Sequence, residues 1–568
     1  MGFPMSTSSH LNQQMKSKIS SSTARQATPL CSNSSFKCIH GYRVVPRRLA
    51  HPNKVAETSS SPLETNTADE IILSSSSAEA APVHQLSEES FSWTKQWYPV
   101  AAAKLIDPTR PNAIQLLGKN LVVWLDNLGE WRCFEDRCPH RAAPLSEGKI
   151  WPEDGAGGTL MCSYHGWKFT GDGKCVKIPQ AASIEAEQRG CSSFRSCATT
   201  YPAAEAQGII WVWGESGSNA QEESASKPIP IDKRLEAAVE NEEQITYVMP
   251  LFHRDLPYDY QTLVENVADP AHVPYAHHKI QGNRDKVKYG DYELALVQNT
   301  PGRVSVEYSS VFGKGNIDFE PPMIINFKSE RPNGIFNSFR IHCVPTKPGF
   351  SRIIAFTVTN NQKLPTLFKL IKKLPVWMDH ILFRHPVLDG DNVFLHFQEQ
   401  YLVEKDRQAE EKESSASSSR VTAAWRKSYY MPARADLLVA AFKNWLDTAG
   451  KGGPWGPLHK TRGYPPLVTD HRILLNRYEQ HTKNCTACKK ALIWIERSRS
   501  VAAAVAAVGF GAAIAATVQG AAQLGIKAVA TSSVAGGAVV GLLAALMWRW
   551  LSVLRQKFYF VDYDHATR

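Results

Sequence analysis

The sequence predicts an α+β protein: a small all-β domain, a larger domain built on an antiparallel sheet with accompanying helices, and a C-terminal helical hairpin. Three observations predict it. After Trp93 come short β-branched and aromatic runs bounded by Gly, Asn or Asp, such as "NLVVWLD" and "GIIWVWGE". Farther along, "KYGDYELALVQ", "RVSVEYSSVFG", "INFKSER" and "RIIAFTVTN" alternate apolar and polar residues. Two long Ala- and Gly-rich apolar stretches, Val501–Val518 and Ala528–Trp548, lie near the end of the chain.

At 568 residues the chain has room for two or more domains, which usually run to about 100–200 residues each. A net charge of +10 raises the question of a nucleic-acid partner. The excess gathers in the N-terminal segment and near the C-terminus, and no basic stripe interleaves with aromatics, so nucleic acid is set aside. The 11 cysteines are too few for a disulfide scaffold. Their clustering as C-x-H, C-x-x-H and C-x-x-C points to metal and thiol chemistry in a reducing compartment.

In chain order, residues 1–62 hold no acid before Glu57 but many Ser, Thr, Lys and Arg, the composition of an organellar transit peptide. Residues 63–90, through "SSSSAEAAPVHQLSEES", read as a linker. The all-β domain is expected over 91–218, with "GDGKC" as a turn after "WKF". The second domain is expected over 219–480, with helical segments around "ENVADPAHV" and "LFKLIKKLPVWMDHIL". Within it "EKDRQAEEKESSASSSR" reads as a disordered, charged insertion. A C-x-x-C segment over 481–495 precedes the apolar helices at 501–548.

Two ligand pairs fall in the first domain, Cys138-Pro-His140 and Cys162-Ser-Tyr-His165. Two thiolates with two imidazoles can close a tetrahedral zinc site. The alternative is a Rieske centre, with two Cys on one iron of a [2Fe–2S] cluster and two His on the other. Each pair sits on its own turn between strand-like runs, and Gly166-Trp167-Lys168-Phe169 follows His165. This resembles the Rieske signature C-x-H…C-x-x-H-G-W and favours the cluster. The gap between the pairs is longer than that family usually shows, through "WPEDGAGG", which reads as a surface loop insertion.

The stretch "YQTLVENVADPAHVPYAHH" offers electrons a destination. Asp269 and His272, three apart, are expected on one face of a helix. Pro274 is expected to interrupt that helix and swing His277 back toward His272. Two imidazoles and a carboxylate on one face of Fe(II) leave positions open for O2 and substrate. The stretch resembles the D-x-x-H-x-x-x-x-H motif of Rieske non-haem iron oxygenases, a family that takes its third ligand from a later helix. In "VLDGDNVFLHFQEQ" the preferred carboxylate is Asp391, whose spacing to Leu395 and Gln398 matches the family pattern, with Asp389 as fallback and helix capping as the alternative role for either.

"HTKNCTACKKAL" carries Cys485 and Cys488. Such a pair cycles between dithiol and disulfide, or forms half of a zinc site with His471 and His481 nearby; the redox switch is preferred. The apolar hairpin is either a membrane anchor or a buried core hairpin. Span length, the GxxxG spacing of Gly537 and Gly541, and flanking Trp548 and Trp550 favour the membrane. Arg497, Arg499, Arg549 and Arg555 would then lie on the side of the catalytic body.

From about Trp93 to Asp564 the chain resembles the pheophorbide a oxygenase group of chloroplast Rieske oxygenases, which includes the lethal-leaf-spot and accelerated-cell-death proteins. The shared stretches are "QLLGKNLVVW", "CPHRAAPLSEG", "CSYHGWKF", "IPQA", "LVENVADPAHVPYAHH", "LDGDNVFLHFQE" and "HTKNCTACKKA". The resemblance implies a helix-grip catalytic domain with an apolar pocket, reduced ferredoxin as donor, O2 as co-substrate and a tetrapyrrole, pheophorbide a, as substrate. It also implies that Asp269 bridges a cluster histidine of one subunit to the iron-ligating His of its neighbour, in a ring-like homo-oligomer, commonly a trimer. A thioredoxin acting on Cys485 and Cys488, and a thylakoid or inner-envelope location facing the stroma, complete the expectation. Two paralogous roles stand beside it: hydroxylation of another tetrapyrrole, and a redox-sensing subunit of the import translocon.

Overall fold

A computed structural model describes residues 91–566, except 156, 311–312, 367–368, 370–372, 414–424, 457–462 and 525–531. The expected transit peptide, the linker and the turn around Gly525 and Lys527 lie outside the described residues.

Residues 91–216 form three small antiparallel sheets. One joins Trp97–Ala102, Ile209–Trp213 and Ala203–Ala206. A second orders Asn112–Leu116, Lys119–Leu125, Trp131–Glu135 and Thr200–Tyr201, and a third runs Lys149–Trp151, Thr159–Met161, Lys168–Phe169 and Cys175–Lys177. Val122, Val123 and Trp124 are fully buried, which explains why that strand reads as a continuous apolar run rather than an alternation. Leu117 and Gly118 both take positive φ in the two-residue turn that pairs Leu116 with Lys119, the geometry that suits the twist of a hairpin.

The second region is a curved seven-stranded antiparallel sheet. Its order is Thr246–Leu256, Phe350–Thr359, Phe336–Lys347, Ile324–Glu330, Gly313–Glu320, Arg303–Ser310 and Glu293–Thr300. Cross-strand pairs Val304/Phe319 and Val306/Ile317 point into the core, all fully buried. Helix α1 (Tyr260–Ala268) lies against the strands at Phe336–Lys347 and Phe350–Thr359, the sheet-over-helix arrangement of a helix-grip fold. A long helix α2 (His385–Glu413) follows a π turn at His380–Arg384. Helix α3 (Leu437–Asp447) packs on α1 and on Arg303–Ser310, with Phe442 and Trp445 edge-on to Phe319 at 5.2 Å.

The charged insertion is corrected in part: Glu404–Glu413 continues α2 as helix, and 414–420 lie outside the described residues. Glu, Lys, Arg and Gln are good helix formers, and Arg407 pairs with Glu404 at 2.7 Å one turn back.

The apolar hairpin consists of α4 (Thr486–Leu524, 39 residues) and α5 (Ser532–Gln556, 25 residues). Both exceed the expected spans, and α4 begins inside the C-x-x-C motif itself. The outward faces are apolar and open, with Val508 72%, Ile514 65% and Leu543 62% exposed, so this is no buried core hairpin. Both helices are long and apolar enough to cross a membrane. They meet through glycine: a Cβ on Gly509 would stand 2.6 Å from the Gly541 nitrogen and 2.9 Å from the Gly537 oxygen.

Candidate metal centres

The first ligand group sits on two tight loops. Cys138 N–H donates to the Ala143 carbonyl at 2.8 Å, and Ala142 N–H donates back to the Cys138 carbonyl at 2.9 Å. Cys162 N–H donates to the Trp167 carbonyl and Gly166 N–H to the Cys162 carbonyl, both at 2.8 Å. Gly166 has φ +75°, and Pro179 presses within 3.2 Å of where its Cβ would stand, so this turn needs glycine. The two sulfurs are buried while His140 and His165 are partly exposed, with ring centroids 4.6 Å apart. His140 stacks on Trp167 at 4.7 Å. The Cys138 thiol donates to Cys162 and holds it down to about 6, in thiolate range. His140 Nδ1 is buried without a hydrogen-bond partner. Two sulfurs, two imidazoles and an orphaned ring nitrogen fit a [2Fe–2S] cluster of the Rieske type. Within the "WPEDGAGG" stretch Pro152, Glu153 and Gly155 are exposed, Gly158 is buried, and Asp154 accepts from Lys168 at 2.6 Å.

The second group forms around α1. Here the expected helical face is corrected: α1 stops at Ala268, and Asp269 is its C-cap with φ −100° and ψ 102°. Pro270 is the cause, because a residue before proline avoids the helical region. Pro274 does not break a helix but sits in the first turn of a new one, Val273–Ala276, a place that proline favours. The new helix is capped by His272 at its start and His277 at its end, which turns both imidazoles toward α2. His277 Nε2 is 3.4 Å and His272 Nε2 3.9 Å from the Asp391 carboxylate. Atoms of all three lie within 4.8 Å of one another.

Each member is oriented. His272 Nδ1–H donates to the Asp269 carbonyl at 2.5 Å, which fixes the ring with Nε2 toward the Asp391 carboxylate. Burial holds His277 below the usual histidine range, hence neutral. Burial also raises the Asp269 carboxyl above its ordinary value. Asp389, the fallback ligand, is occupied elsewhere: Arg254 bonds it at 2.7 Å and Arg477 at 2.5 Å, all of them buried. Gly390 between the two Asp residues lets α2 come close; a Cβ there would meet the Ala276 oxygen, His277 Nδ1 and Tyr563 ring, each at 3.1 Å. Two imidazole nitrogens and one carboxylate on one side fit a mononuclear Fe(II) with positions to spare.

A cavity of about 440 Å³ opens beside His272 and Asp391. Phe394, Leu395, Tyr429 and Met431 give it apolar wall, while Glu265 and Gln398 make it mixed rather than the apolar pocket expected. Sequence reasoning missed the chain's end: Tyr563 O–H donates to the Ala276 carbonyl at 2.8 Å, and His565 bonds the Gly390 carbonyl at 2.9 Å, so the tail after the hairpin returns to this site. No local pattern in the sequence announces that return.

Cys485 and Cys488 are fully buried free thiols. His481 lies with them, but His471 does not; it is at the surface, bonded to Asp562 at 2.9 Å. The second imidazole is His380, a residue that sequence spacing did not single out.

Fold and sites together are those of an oxygenase with two iron centres. Residues 96–195 match the Rieske [2Fe-2S] domain and residues 319–409 the pheophorbide a oxygenase domain. Chloroplastic pheophorbide a oxygenase of Oryza sativa subsp. japonica is 33% identical over 502 residues, covering 86% of this chain and 88% of that one. Chloroplastic flavonoid 8-hydroxylase 2 of Ocimum basilicum is 30% identical, over 84% of this chain and 87% of its own. Chloroplastic protein TIC 55 of Pisum sativum is 28% identical, over 85% and 86%. The chain belongs to the pheophorbide a oxygenase family of Rieske non-haem iron oxygenases. It is accordingly an enzyme that works with a [2Fe–2S] cluster, a mononuclear iron and O2.

Proposed function

We propose that the protein opens the macrocycle of pheophorbide a, using O2 and electrons from reduced ferredoxin, to give a red linear tetrapyrrole. The observation that carries this is the His272, His277, Asp391 triad facing the 440 Å³ cavity, in a chain one-third identical to a pheophorbide a oxygenase along most of its length. Cys138, His140, Cys162 and His165 hold the cluster, and the triad holds Fe(II). The irons supply electron storage and oxygen activation.

The chain's own residues do the rest. Asp269 fixes the His272 tautomer through its carbonyl and, by family resemblance, bridges to a cluster histidine of a neighbouring protomer, making a trimer the working unit. The half-exposed histidine edge of the cluster loops supports that contact. Phe394 and Tyr429 supply flat surface for the ring and keep water from it. The hairpin anchors the enzyme in the thylakoid or inner-envelope membrane with its body in the stroma. Arg499 over Trp548 at 5.4 Å and Arg555 bonded to Glu496 at 3.0 Å support placing that end at the interface.

The test is turnover with reduced ferredoxin, O2 and pheophorbide a, with products followed by absorbance and mass. A ring-opened product that vanishes in His272→Ala supports the proposal. Oxygen uptake with pheophorbide returned intact rejects the substrate. A second reading, hydroxylation without ring opening, is favoured by the polar part of the cavity wall, Glu265 and Gln398, which suits a substrate rich in hydroxyl groups; substrate profiling separates the two.

A further inference from the structure

We propose that His380, His481, Cys485 and Cys488 bind a structural zinc ion, separate from both iron centres. Their ligand atoms lie within 4.8 Å of one another. His481 Nε2 is 3.0 Å from His380 Nδ1, and Cys488 Sγ is 3.2 Å from His380 Nδ1 and 3.4 Å from His481 Nε2. Cys485 Sγ is 3.9 Å from His380 Nδ1. A tetrahedron with zinc–nitrogen bonds near 2.0 Å and zinc–sulfur bonds near 2.3 Å has edges of roughly 3.3–3.8 Å. The four atoms therefore already sit close to the corners of such a figure.

Three further features agree. His481 Nδ1 is 2.6 Å from the His253 carbonyl, so its proton is committed there and Nε2 presents a lone pair to the thiols. All four side chains are at most 1% exposed, and Cys485 and Cys488 pack among Leu105, Ile381, Ile495 and Phe558. A thioredoxin-type partner has no path to sulfurs so enclosed. A dication with two thiolates and two neutral imidazoles makes an uncharged group, which such an environment accepts, and this donor set selects zinc over magnesium or calcium. With four protein ligands the site is closed and structural rather than reactive.

The ligands come from three elements: the π turn leading into α2, the turn at Tyr478–Thr482, and the start of α4. The ion thus pins the root of the apolar hairpin to the helix that carries Asp391, and through His253 to the edge strand of the catalytic sheet. Metal binding releases the two thiol protons and involves no change of oxidation state.

The test is zinc content and zinc-edge X-ray absorption of the full-length protein purified in detergent with zinc supplied. The expected result is one zinc per chain with two sulfur and two nitrogen neighbours. It is lost in Cys488→Ser and His380→Gln and kept in His471→Ala. The spectrum of the wild-type protein needs no variant and stands even if those two variants do not fold. Zinc surrounded by nitrogen and oxygen alone, as from occupancy of the iron triad, overturns the proposal. So does a cluster-loaded protein free of zinc, or one whose Cys485 and Cys488 are recovered as a disulfide.

Discussion

The triad and the tetrad are built from similar parts and differ in enclosure. His272, His277 and Asp391 offer three ligands, and one side of the group opens on a cavity. His380, His481, Cys485 and Cys488 offer four, all at most 1% exposed. Both depend on α2 and its π turn, eleven residues apart along the chain. Ligand count and access, more than residue type, separate a centre that turns over from one that holds the fold together. The cluster loops lie between these extremes, with their sulfurs sealed and their histidines toward solvent.

The largest expected effect is at the open centre. Asp391→Ala removes the only carboxylate of the triad, and product formation should fall to background while the cluster keeps its electron paramagnetic resonance signal. Next is Asp389→Ala, which removes the carboxylate paired with the buried guanidiniums of Arg254 and Arg477. Thermal or denaturant unfolding should show a loss of about 3–5 kcal/mol, the cost of removing one partner of a buried ion pair. Two neighbouring aspartates would then be told apart, one as ligand and one as brace.

A smaller effect is expected from Gly390→Ala, whose methyl meets His277 Nδ1 and the Ala276 oxygen at 3.1 Å. Iron affinity, measured by competition with a chelator, should weaken about tenfold, as for other losses of ligand support, with zinc content unchanged. The smallest belongs to Trp167→Ala. It removes the ring stacked on His140, worth about 1 kcal/mol, and should shift the cluster's reduction potential and shorten its lifetime without abolishing assembly.

Much of this was legible locally. Cys138, His140, Cys162 and His165 lie in loops whose spacing is set by the turns themselves, and four of the seven sheet strands announced themselves by alternation. Strands such as Phe336–Lys347 did not, because burial on both faces erases the period: Ile341, Cys343 and Val344 are all within the core. The helix break at Asp269 was also written in the chain, in Pro270, though Pro274 drew the attention. The choice between Asp389 and Asp391 could not be finished from sequence, since Arg254 and Arg477, more than eighty residues away on either side, decide it. His380 is the same case: it reaches Cys488 across about a hundred residues, a distance over which periodicity and motif spacing carry no information.

Nitric oxide tests most directly whether the triad is an open metal centre. Added anaerobically to the ferrous protein, it should give the high-spin iron–nitrosyl signal of an iron with vacant positions, in wild type and in His380→Gln but not in Asp391→Ala. A signal that survives unchanged in Asp391→Ala, or that never forms in an iron-loaded wild type, would contradict the account.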